Sequence, residues 1–245
     1  MSTYFITGAN RGIGEGLVKA YLARPNTTVV GSVRDPSAAG SKALYDLPKG
    51  QDSRLVLVKI ESTSETDPAA AVEVLESHGI SQLDVVVANA GISQNFDEIA
   101  KLDIQDLKEH IAVNAIGPVV LFQAVWPLLQ KSAQPKFVVI TSAAASIGAM
   151  EHVPFTLGAY GSSKAMLNYL ICRIHFENEN LIAFPVHPGF VQTDMGNAGA
   201  RQFGMAEASN TIKESIDGVV SKIDTATKGE TSGKFLSFDG TPMMW

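Results

Sequence analysis

Tyr160 and Lys164, four residues apart, form the pair in this sequence best suited to acid–base chemistry. Their segment is typical of a helix, where residues i and i+4 share one face, so both side chains can enter the same cleft. A phenol has a pKa of about 10 and is a poor catalyst at neutral pH, but a nearby ammonium lowers that pKa. Ser142, at the end of a predicted strand, supplies a second hydroxyl. The pattern predicts proton transfer at an oxygen atom.

A glycine-rich turn near the N-terminus predicts a pyrophosphate site. The segment Thr7-Gly8-Ala9-Asn10-Arg11-Gly12-Ile13-Gly14 lies between an apolar strand and an amphipathic helix. Gly8 can adopt the positive φ of a tight turn. Gly12 lets the backbone approach phosphate oxygens, and Gly14 lets the helix pack against the strand. The helix N-terminus then offers free N–H groups to an anion. The spacing departs from the usual G-x-G-x-x-G, and a plain strand-to-helix connection would look similar.

The end of the second predicted strand bears on the choice of cofactor. An NAD-preferring site carries Asp or Glu about 20 residues beyond the glycines, whereas this chain reads Val33-Arg34-Asp35. Arg34 is the basic group that a 2′-phosphate requires, and Arg11 in the glycine turn can share that role. We therefore expect NADP(H). Asp35 is adjacent, and either residue can be the one that points inward.

The elements predicted around these residues alternate between strands and helices. The predicted strands are Tyr4–Thr7, Thr28–Val33, Leu55–Ile60, Leu83–Ala88, Lys136–Thr141, Leu181–His187 and Lys234–Phe238. The predicted helices run from the glycine turn to about Ala23 and over Asp67–Ser77, Leu102–Gln130 (interrupted around Asn114–Pro118 and at Pro127), Ala159–Glu177 and Glu207–Ile223. This alternation predicts one doubly wound Rossmann-type α/β domain, 1–245, with a mostly or fully parallel seven-stranded sheet.

Composition excludes several classes of protein. The 245 residues are 45% hydrophobic, carry a net charge of −6 and include one cysteine. These values argue against a nucleic-acid-binding protein, a disulfide scaffold and a cysteine-based metal site, and His spacing predicts no other metal site. No apolar run reaches the roughly 20 residues of a membrane helix. The glycine motif begins at Thr7 and leaves no room for a signal peptide, so we expect a cytoplasmic protein.

The motifs together resemble the short-chain dehydrogenases/reductases over essentially the whole chain. The resemblance rests on Thr7-Gly8-x-x-x-Gly12-Ile13-Gly14, Asn89-Ala90-Gly91, Asn114, Ser142, Tyr160-x-x-x-Lys164, Pro188-Gly189 and Thr193. Ser-Val-Arg-Asp at 32–35, the segment between Ser142 and Tyr160, and the ending at 232–240 are similar to the carbonyl-reductase-like branch. That branch includes the sniffer and C-factor proteins and fungal norsolorinic acid ketoreductase. The resemblance implies NADPH-dependent reduction of a ketone or aldehyde to an alcohol.

The resemblance also implies a role for each motif residue in catalysis. Tyr160 would protonate the substrate oxygen as hydride arrives from the nicotinamide. Lys164 would lower the pKa of Tyr160 and bind the nicotinamide ribose. Ser142 would orient the carbonyl, and Asn114 would hold a water of a proton relay. The segment between Ser142 and Tyr160 is longer than usual in the family, which suggests an inserted loop and leaves Ser146 as the alternative serine.

Further residues are implied to bind the cofactor. Asn89, Ala90 and Gly91 would line the adenosine side. Glu61 stands where the family usually has Asp, which leaves the adenine contact there open. Main-chain groups of Pro188, Gly189 and Val191, with the Thr193 hydroxyl, would hold the nicotinamide carboxamide.

Substrate information comes from apolar residues in three segments. The inserted loop carries Met150 and Phe155, the segment that corresponds to the family's lid (around 194–208) carries Met195 and Phe203, and Gln94 follows the Asn-Ala-Gly turn. They suggest a bulky apolar or aromatic carbonyl compound, because Met adapts to irregular shapes. Packing of the loops themselves explains the same residues equally well.

Two other functions remain open from the sequence. One is an NAD(H)-linked alcohol dehydrogenase that works in the oxidative direction, and the other is a dinucleotide-sensing protein without turnover. The expected partner is a small carbonyl substrate, with no nucleic acid and no membrane. A homodimer or homotetramer is possible, and Phe122 and Trp126 in the long helix can serve either such a contact or the core.

Overall fold

Seven parallel strands form the centre of the computed structural model. They are β1 Ser2–Thr7, β2 Thr27–Val33, β3 Arg54–Lys59, β4 Val85–Ala88, β5 Lys136–Ile140, β6 Ile182–His187 and β7 Leu236–Ser237. Their order in the sheet is β3-β2-β1-β4-β5-β6-β7, and every neighbouring pair is parallel. The structure describes residues 2–153 and 155–245. The predicted seven-stranded doubly wound sheet is confirmed, in its fully parallel form.

Helices connect the strands and cover both faces of the sheet. They are α1 Gly12–Leu22, α2 Ala39–Lys42, α3 Asp67–Ser77, α4 Ile104–Ile111, α5 Gly117–Leu129, α6 Gly158–Glu177, α7 Asp194–Gln202 and α8 Ile212–Thr225. Single 3₁₀ turns occur at Ala43–Asp46, Ala143–Ala145 and Met150–His152. Helix α1 packs beside α8, α3 packs beside α5, and α4 packs beside α6.

Alternate residues of each strand belong to two separate hydrophobic clusters. Phe5 and Val86 face the cluster under α3, α5 and α6, whereas Ile6 and Val87 face the cluster under α1 and α8. Side chains of successive strand residues point to opposite faces, so a sheet covered on both faces requires continuous apolar strands. This explains why the strands lack a polar alternation in the sequence.

One helix prediction was wrong at its start, and one helix was missed. The helix predicted over Glu207–Ile223 begins only at Ile212, because Thr211 and Glu214 form a capping box: the Thr211 hydroxyl accepts from the Glu214 N–H, and the Glu214 carboxylate accepts from the Thr211 N–H. Helix α7, in the expected lid segment, was not predicted as a helix. Its first turn is capped by the Thr193 hydroxyl, which accepts from the Gly196 N–H at 3.1 Å.

The long predicted helix is interrupted where expected, but not at its proline. Residues Ala112–Ile116 form a π-helical turn between α4 and α5, whereas Pro127 lies within α5. By length and composition alone, Ile104–Leu129 passes the test for a membrane span, which core helices also pass. Here Leu121 and Leu128 are buried against the sheet, and Phe122 stacks edge-on against Phe137 at 5.0 Å. Packing on the sheet accounts for this apolar face.

The glycine turn between β1 and α1 has the backbone that the sequence predicts. Gly8 and Gly12 have φ angles of +64° and +56°, a region that favours glycine. A Cβ on Gly14 would overlap the Gly8 carbonyl oxygen and lie 2.6 Å from Asn89 Nδ2. The first turn of α1 can approach the strand ends only because this position carries no side chain.

We expect Gly14→Ala to lower the free energy of unfolding by about 1–3 kcal/mol, because the added methyl group displaces main chain rather than a flexible side chain. Gly40→Ala is the matched control, since a Cβ there meets nothing within 4 Å in helix α2. The control should be neutral or slightly stabilising. Urea unfolding midpoints measure both, and equal midpoints for the two variants would contradict this packing argument.

Candidate active site

The candidate site lies where the order of the strands in the sheet reverses. Strand β1 has β2 on one side and β4 on the other, and such switch points open a crevice at the carboxyl ends of the strands. Thr7, the last residue of β1, connects this strand to the segment that follows β4. Its hydroxyl accepts from the N–H groups of Asn89 and Ala90 at 2.9 and 3.0 Å, and Asn89 Nδ2 donates to the Thr7 carbonyl at 2.8 Å. The sequence analysis assigned no such role to Thr7.

The N-terminus of α1 offers free N–H groups to the crevice. Arg11 occupies the N-cap position with an extended backbone, and its side chain makes no capping hydrogen bond. Asn10 and Arg11 are exposed, and Ile13 is partly buried. Uncapped N–H groups at a glycine-rich helix start suit a phosphate group, which both the N–H groups and the helix dipole favour. The turn therefore fits the pyrophosphate of a dinucleotide.

A narrow crevice beside this turn lies between the loop after β3 and the segment after β4. Its lining includes Thr7, Ile60, Glu61, Ala88, Ala90 and Val113. The main-chain N–H of Glu61 donates to Asp67 Oδ2 at 2.9 Å, which lowers the pKa of Asp67 and fixes the loop after β3. Glu61 thus lines the same crevice as Ala88 and Ala90, and its contact with adenine stays a prediction.

Arg34 and Asp35 are both exposed at the end of β2. Of the two side chains, the Asp35 carboxylate is the one that is hydrogen-bonded within the loop that follows. The Asp35 carboxylate accepts from the N–H and the hydroxyl of Ser37 at 2.8 and 2.6 Å. These bonds hold the pKa of Asp35 below its ordinary value. The Asp35 side chain is therefore turned toward residue 37, and the Arg34 guanidinium has no ion-pair partner among the described residues.

Ser142, Tyr160 and Lys164 come together at the carboxyl end of β5. The Ser142 hydroxyl lies close enough to the Tyr160 phenol to lower its pKa. Lys164, one turn further along α6, is 4% exposed, and its Nζ donates to the Ile140 carbonyl at 2.9 Å. Lys164 Nζ lies 6.0 Å from the centre of the Tyr160 ring. Tyr160 and Lys164 thus lie on the same face of α6, as their i, i+4 spacing predicts.

The pKa values differ from what the sequence suggested. Burial raises the pKa of Tyr160 above its ordinary value, and the nearby Ser142 hydroxyl opposes this rise. Burial also lowers the pKa of Lys164 to about 8. The expected lowering of the Tyr160 pKa by Lys164 is not seen in the protein alone, because desolvation of the phenol outweighs the attraction of a distant ammonium. Tyr160 is therefore a protonated acid at neutral pH.

Asn114 lies in the π-helical turn and binds two neighbouring segments. Its Oδ1 accepts from the Ile92 N–H at 2.8 Å, and its Nδ2 donates to the Ile92 carbonyl and to the Ser163 hydroxyl, both at 2.9 Å. A Cβ on Gly91 would lie 3.0 Å from Asn114 Oδ1 and 3.4 Å from Lys164 Nζ. The absence of a side chain at Gly91 lets this segment approach the ammonium. π-Helical turns are frequent at functional sites.

The segment after β6 closes the other side of the crevice. Pro188 accepts through its carbonyl from the Ser215 hydroxyl at 2.7 Å, and Gly189 has a φ of +91°. Val191 forms a parallel bridge with Asn210, whose Oδ1 accepts from the Phe190 N–H. Thr193 approaches the glycine turn, since a Cβ on Gly12 would lie 3.1 Å from its methyl group. The Thr193 hydroxyl caps α7, a role that the sequence analysis did not assign.

The predicted substrate residues separate into two groups. Phe155 and Phe203 stack at 4.1 Å, and Phe203 also meets Phe96 edge-on at 5.4 Å. Among the described contacts, Gln94, Met150 and Met195 do not join this aromatic cluster. Gln94 and Met195 are exposed, and Met150 is 60% exposed on its 3₁₀ turn.

Ser146, the alternative to Ser142, is used by the inserted loop itself. It is buried, its hydroxyl accepts from the Ala149 N–H at 3.0 Å, and it lies 3.5 Å from the Trp245 main-chain oxygen. The same Trp245 oxygen accepts from the Gly148 N–H at 2.7 Å. Ser142 is thus the serine that meets Tyr160.

Two further polar residues support the site without having been identified from the sequence. Asn168, two turns after Tyr160 on α6, accepts from the Thr141 hydroxyl at 2.7 Å, and its Nδ2 has no partner among the described residues. His187 Nδ1 accepts from the Ala143 N–H, and burial lowers the pKa of His187 to about 4, so it stays neutral. For Asn168 the i, i+4 spacing from Lys164 was the available signal.

A doubly wound parallel sheet with an anion-binding helix start and a Ser–Tyr–Lys cluster at the switch point is the arrangement of a dinucleotide-dependent oxidoreductase. The short chain dehydrogenase family profile matches residues 2–202. The norsolorinic acid ketoreductase of Dothistroma septosporum is 47% identical over 249 residues, covering 100% of this chain and 92% of that protein.

Solved structures give the same assignment. The NADPH-bound carbonyl reductase from chicken fatty liver superposes with a TM-score of 0.87 at 30% identity, covering 100% of this chain and 99% of that one. The carbonyl reductase Sniffer of D. melanogaster superposes with a TM-score of 0.86 at 26% identity, covering 100% of both chains. This chain belongs to the short-chain dehydrogenases/reductases, a family that uses a nicotinamide dinucleotide.

We expect Lys164→Met to stabilise the protein in the absence of cofactor. Lys164 has a pKa of about 8 in the folded protein, against an ordinary value of 10.5 for a lysine side chain. Between these values the unfolded chain binds more protons, so the wild type gains stability as the pH rises through this window, and at pH 7 it bears the full cost of the buried charge. The variant should exceed the wild type by about 1–3 kcal/mol at pH 7, and by less at pH 9.5.

Urea unfolding at the two pH values measures this difference. Lys213→Met is the control, because Lys213 is exposed and paired with Asp217 on α8. A stability difference between Lys164→Met and wild type that does not change with pH would contradict a buried charge at position 164.

Proposed function

We propose that this protein uses NADPH to reduce a ketone or aldehyde to an alcohol, with Tyr160 as the general acid. The observation that carries the proposal is the cluster at the carboxyl end of β5: Ser142 lies close enough to lower the pKa of the Tyr160 phenol, and the Lys164 ammonium is buried one turn further along α6. When bound, a reduced nicotinamide dinucleotide supplies the hydride. Family membership and the ketoreductase and carbonyl reductase relatives support carbonyl reduction as the reaction class.

Tyr160 and Ser142 act on the same substrate atom in this proposal. Hydride addition makes the carbonyl oxygen negative, and two hydroxyl donors aimed at that oxygen stabilise the developing charge. Burial raises the pKa of Tyr160, which keeps a proton on the phenol until the oxygen becomes basic enough to take it. Lys164 holds a positive charge behind the phenol and favours the phenolate that remains. Asn114 fixes the main chain beside Lys164 through its bonds to Ile92.

Arg34 supports NADP(H) as the cofactor. It is an exposed cation at the end of β2, where the ribose of a bound dinucleotide lies in this fold, and Asp35 is held by Ser37. A carboxylate directed at the ribose is the mark of an NAD-preferring site, whereas the Asp35 carboxylate here accepts hydrogen bonds from Ser37. The chicken carbonyl reductase, which is described as NADPH-bound, supports the same choice.

A bulky apolar or aromatic carbonyl compound is the proposed substrate class. Phe96, Phe155 and Phe203 come from three different segments and form one aromatic surface. The Dothistroma relative is named for reduction of norsolorinic acid, which supports a ketone as the substrate. We place the activity in the cytoplasm and treat 194–208, which contains α7, as the substrate lid.

Tyr160→Phe should lower carbonyl reduction by about 10²–10⁴-fold, the usual worth of a positioned general acid. NADPH oxidation followed at 340 nm across a panel of aromatic and aliphatic ketones and aldehydes measures it, and NADPH affinity should stay within about twofold because the phenyl ring keeps its packing. Tyr169→Phe on the same helix is the matched control, since Tyr169 is 68% exposed. Retained activity in the Tyr160 variant would refute the assigned acid.

If the wild type binds NADPH and reduces no member of the panel, the dinucleotide-sensing alternative is favoured.

Arg34→Ala should weaken NADPH binding by about 10–100-fold, the range for one charge-assisted hydrogen bond, and leave NADH binding unchanged. Fluorescence titration with each nucleotide measures the two affinities. Arg173→Ala is the control, because Arg173 pairs with Glu177 on the exposed face of α6. An equal loss for both nucleotides, or no loss for either, would remove Arg34 from cofactor selection.

A further inference from the structure

Three side chains on one helical face hold the segment that follows Gly91. Asn114 binds both main-chain groups of Ile92, with distances of 2.8 and 2.9 Å. His110 Nε2 accepts from the Gln94 N–H at 3.2 Å. Asp106 Oδ2 accepts from Asn95 Nδ2 at 2.8 Å. Positions 106, 110 and 114 are four residues apart, and we call them the helix ladder.

The spacing of the ladder matches that of an extended chain. Four residues of an α-helix rise about 6 Å, and two residues of an extended chain rise about 6.6 Å. Side chains at every fourth helical position can therefore reach every second residue of a segment that runs alongside. Asn114 and His110 meet Ile92 and Gln94 in this register, with the segment antiparallel to the helix.

Both ring nitrogens of His110 form hydrogen bonds. It is 1% exposed. Its Nδ1 lies 2.7 Å from the Asp106 carbonyl, which can only accept, so Nδ1 carries the proton. Nε2 is then the lone-pair nitrogen that accepts from the Gln94 N–H. A buried imidazole fixed in one tautomer holds a neighbouring main chain in one place.

The held segment connects the catalytic cluster to the aromatic surface. It begins at Gly91, next to Lys164 Nζ, and ends at Phe96. The Phe96 carbonyl accepts from the Thr156 hydroxyl at 2.6 Å, and the Phe96 ring meets Phe203 after α7. Displacement of Gln94 would therefore move Phe96 relative to both of the other aromatic segments.

We propose that His110 is a positioning residue: by holding the Gln94 N–H it fixes residues 92–96 as the rigid wall of the substrate cleft, against which Phe203 packs. The proposal rests on the proposed carbonyl reduction for its catalytic consequence and adds a residue that sets substrate affinity without touching the reacting atoms. The held segment ends at Phe96, which packs against Phe203 in the aromatic surface, so the expected consequence concerns substrate rather than cofactor.

Two substitutions separate the two bonds of the His110 ring. Gln reaches the position of Nε2 and can accept from Gln94, whereas Asn reaches only the position of Nδ1 and keeps the bond to the Asp106 carbonyl. His110→Asn should raise the KM for the carbonyl substrate about tenfold, the worth of one hydrogen bond, with kcat for a small aldehyde and NADPH affinity within about twofold. His110→Gln should restore most of the substrate affinity. His78→Asn, at an exposed position, is the control.

Hydrogen–deuterium exchange gives a readout that needs no activity. The Gln94 amide should be protected in wild type and in His110→Gln, and should exchange about tenfold faster in His110→Asn. If the wild type reduces no carbonyl compound but the exchange pattern holds, the proposed function fails and the ladder stands. Equal exchange in the two variants, or an unchanged KM in His110→Asn, would overturn the role of His110. If His110→Asn folds poorly, His110→Gln still tests the proposal. Loss of protection of the Gln94 amide in His110→Gln would also overturn the role of His110.

Discussion

The hydrogen bond from Lys164 to the Ile140 carbonyl is the contact on which the site depends. It joins helix α6 to the end of β5 and removes the ammonium from water. Ser142 follows Ile140 by two residues and Tyr160 precedes Lys164 by one turn, so this single bond sets the phenol beside the serine hydroxyl. Desolvation disfavours the ammonium and lowers its pKa to about 8. The protein thus accepts a cost in stability at the position where the proposed chemistry requires a charge.

The parallel sheet brings distant segments to this same edge. Because all seven strands point one way, the glycine turn after β1, the Asn-Ala-Gly segment after β4 and the Pro-Gly segment after β6 meet at one crevice. Small polar contacts then hold them in place: Thr7 joins the first two, and Asn210 supports the third. Gly14 allows close approach, since a side chain there would collide with main chain. The positions of these segments follow from topology, and their spacing follows from local packing.

Features with a local signal could be predicted from the sequence. Apolar strands, the glycine turn and the i, i+4 pair of Tyr160 and Lys164 each lie within one short segment, and the parallel sheet follows from their alternation. Contacts between distant segments could not be predicted this way. The bond of His110 to Gln94 and the capping of α7 by Thr193 depend on where loops fold back. The direction of the Tyr160 pKa was also misjudged, because burial is invisible in a motif.

A structure of the protein with NADP⁺ and an unreactive carbonyl ligand tests the central claim most directly. The account predicts that the carbonyl oxygen lies within about 2.6–3.2 Å of both Tyr160 Oη and Ser142 Oγ, the reach of a catalytic hydrogen bond. Both hydroxyls would then donate to the ligand oxygen, with Lys164 Nζ still bound to the Ile140 carbonyl. A carbonyl oxygen bound elsewhere in the cleft, out of reach of both hydroxyls, would contradict the account.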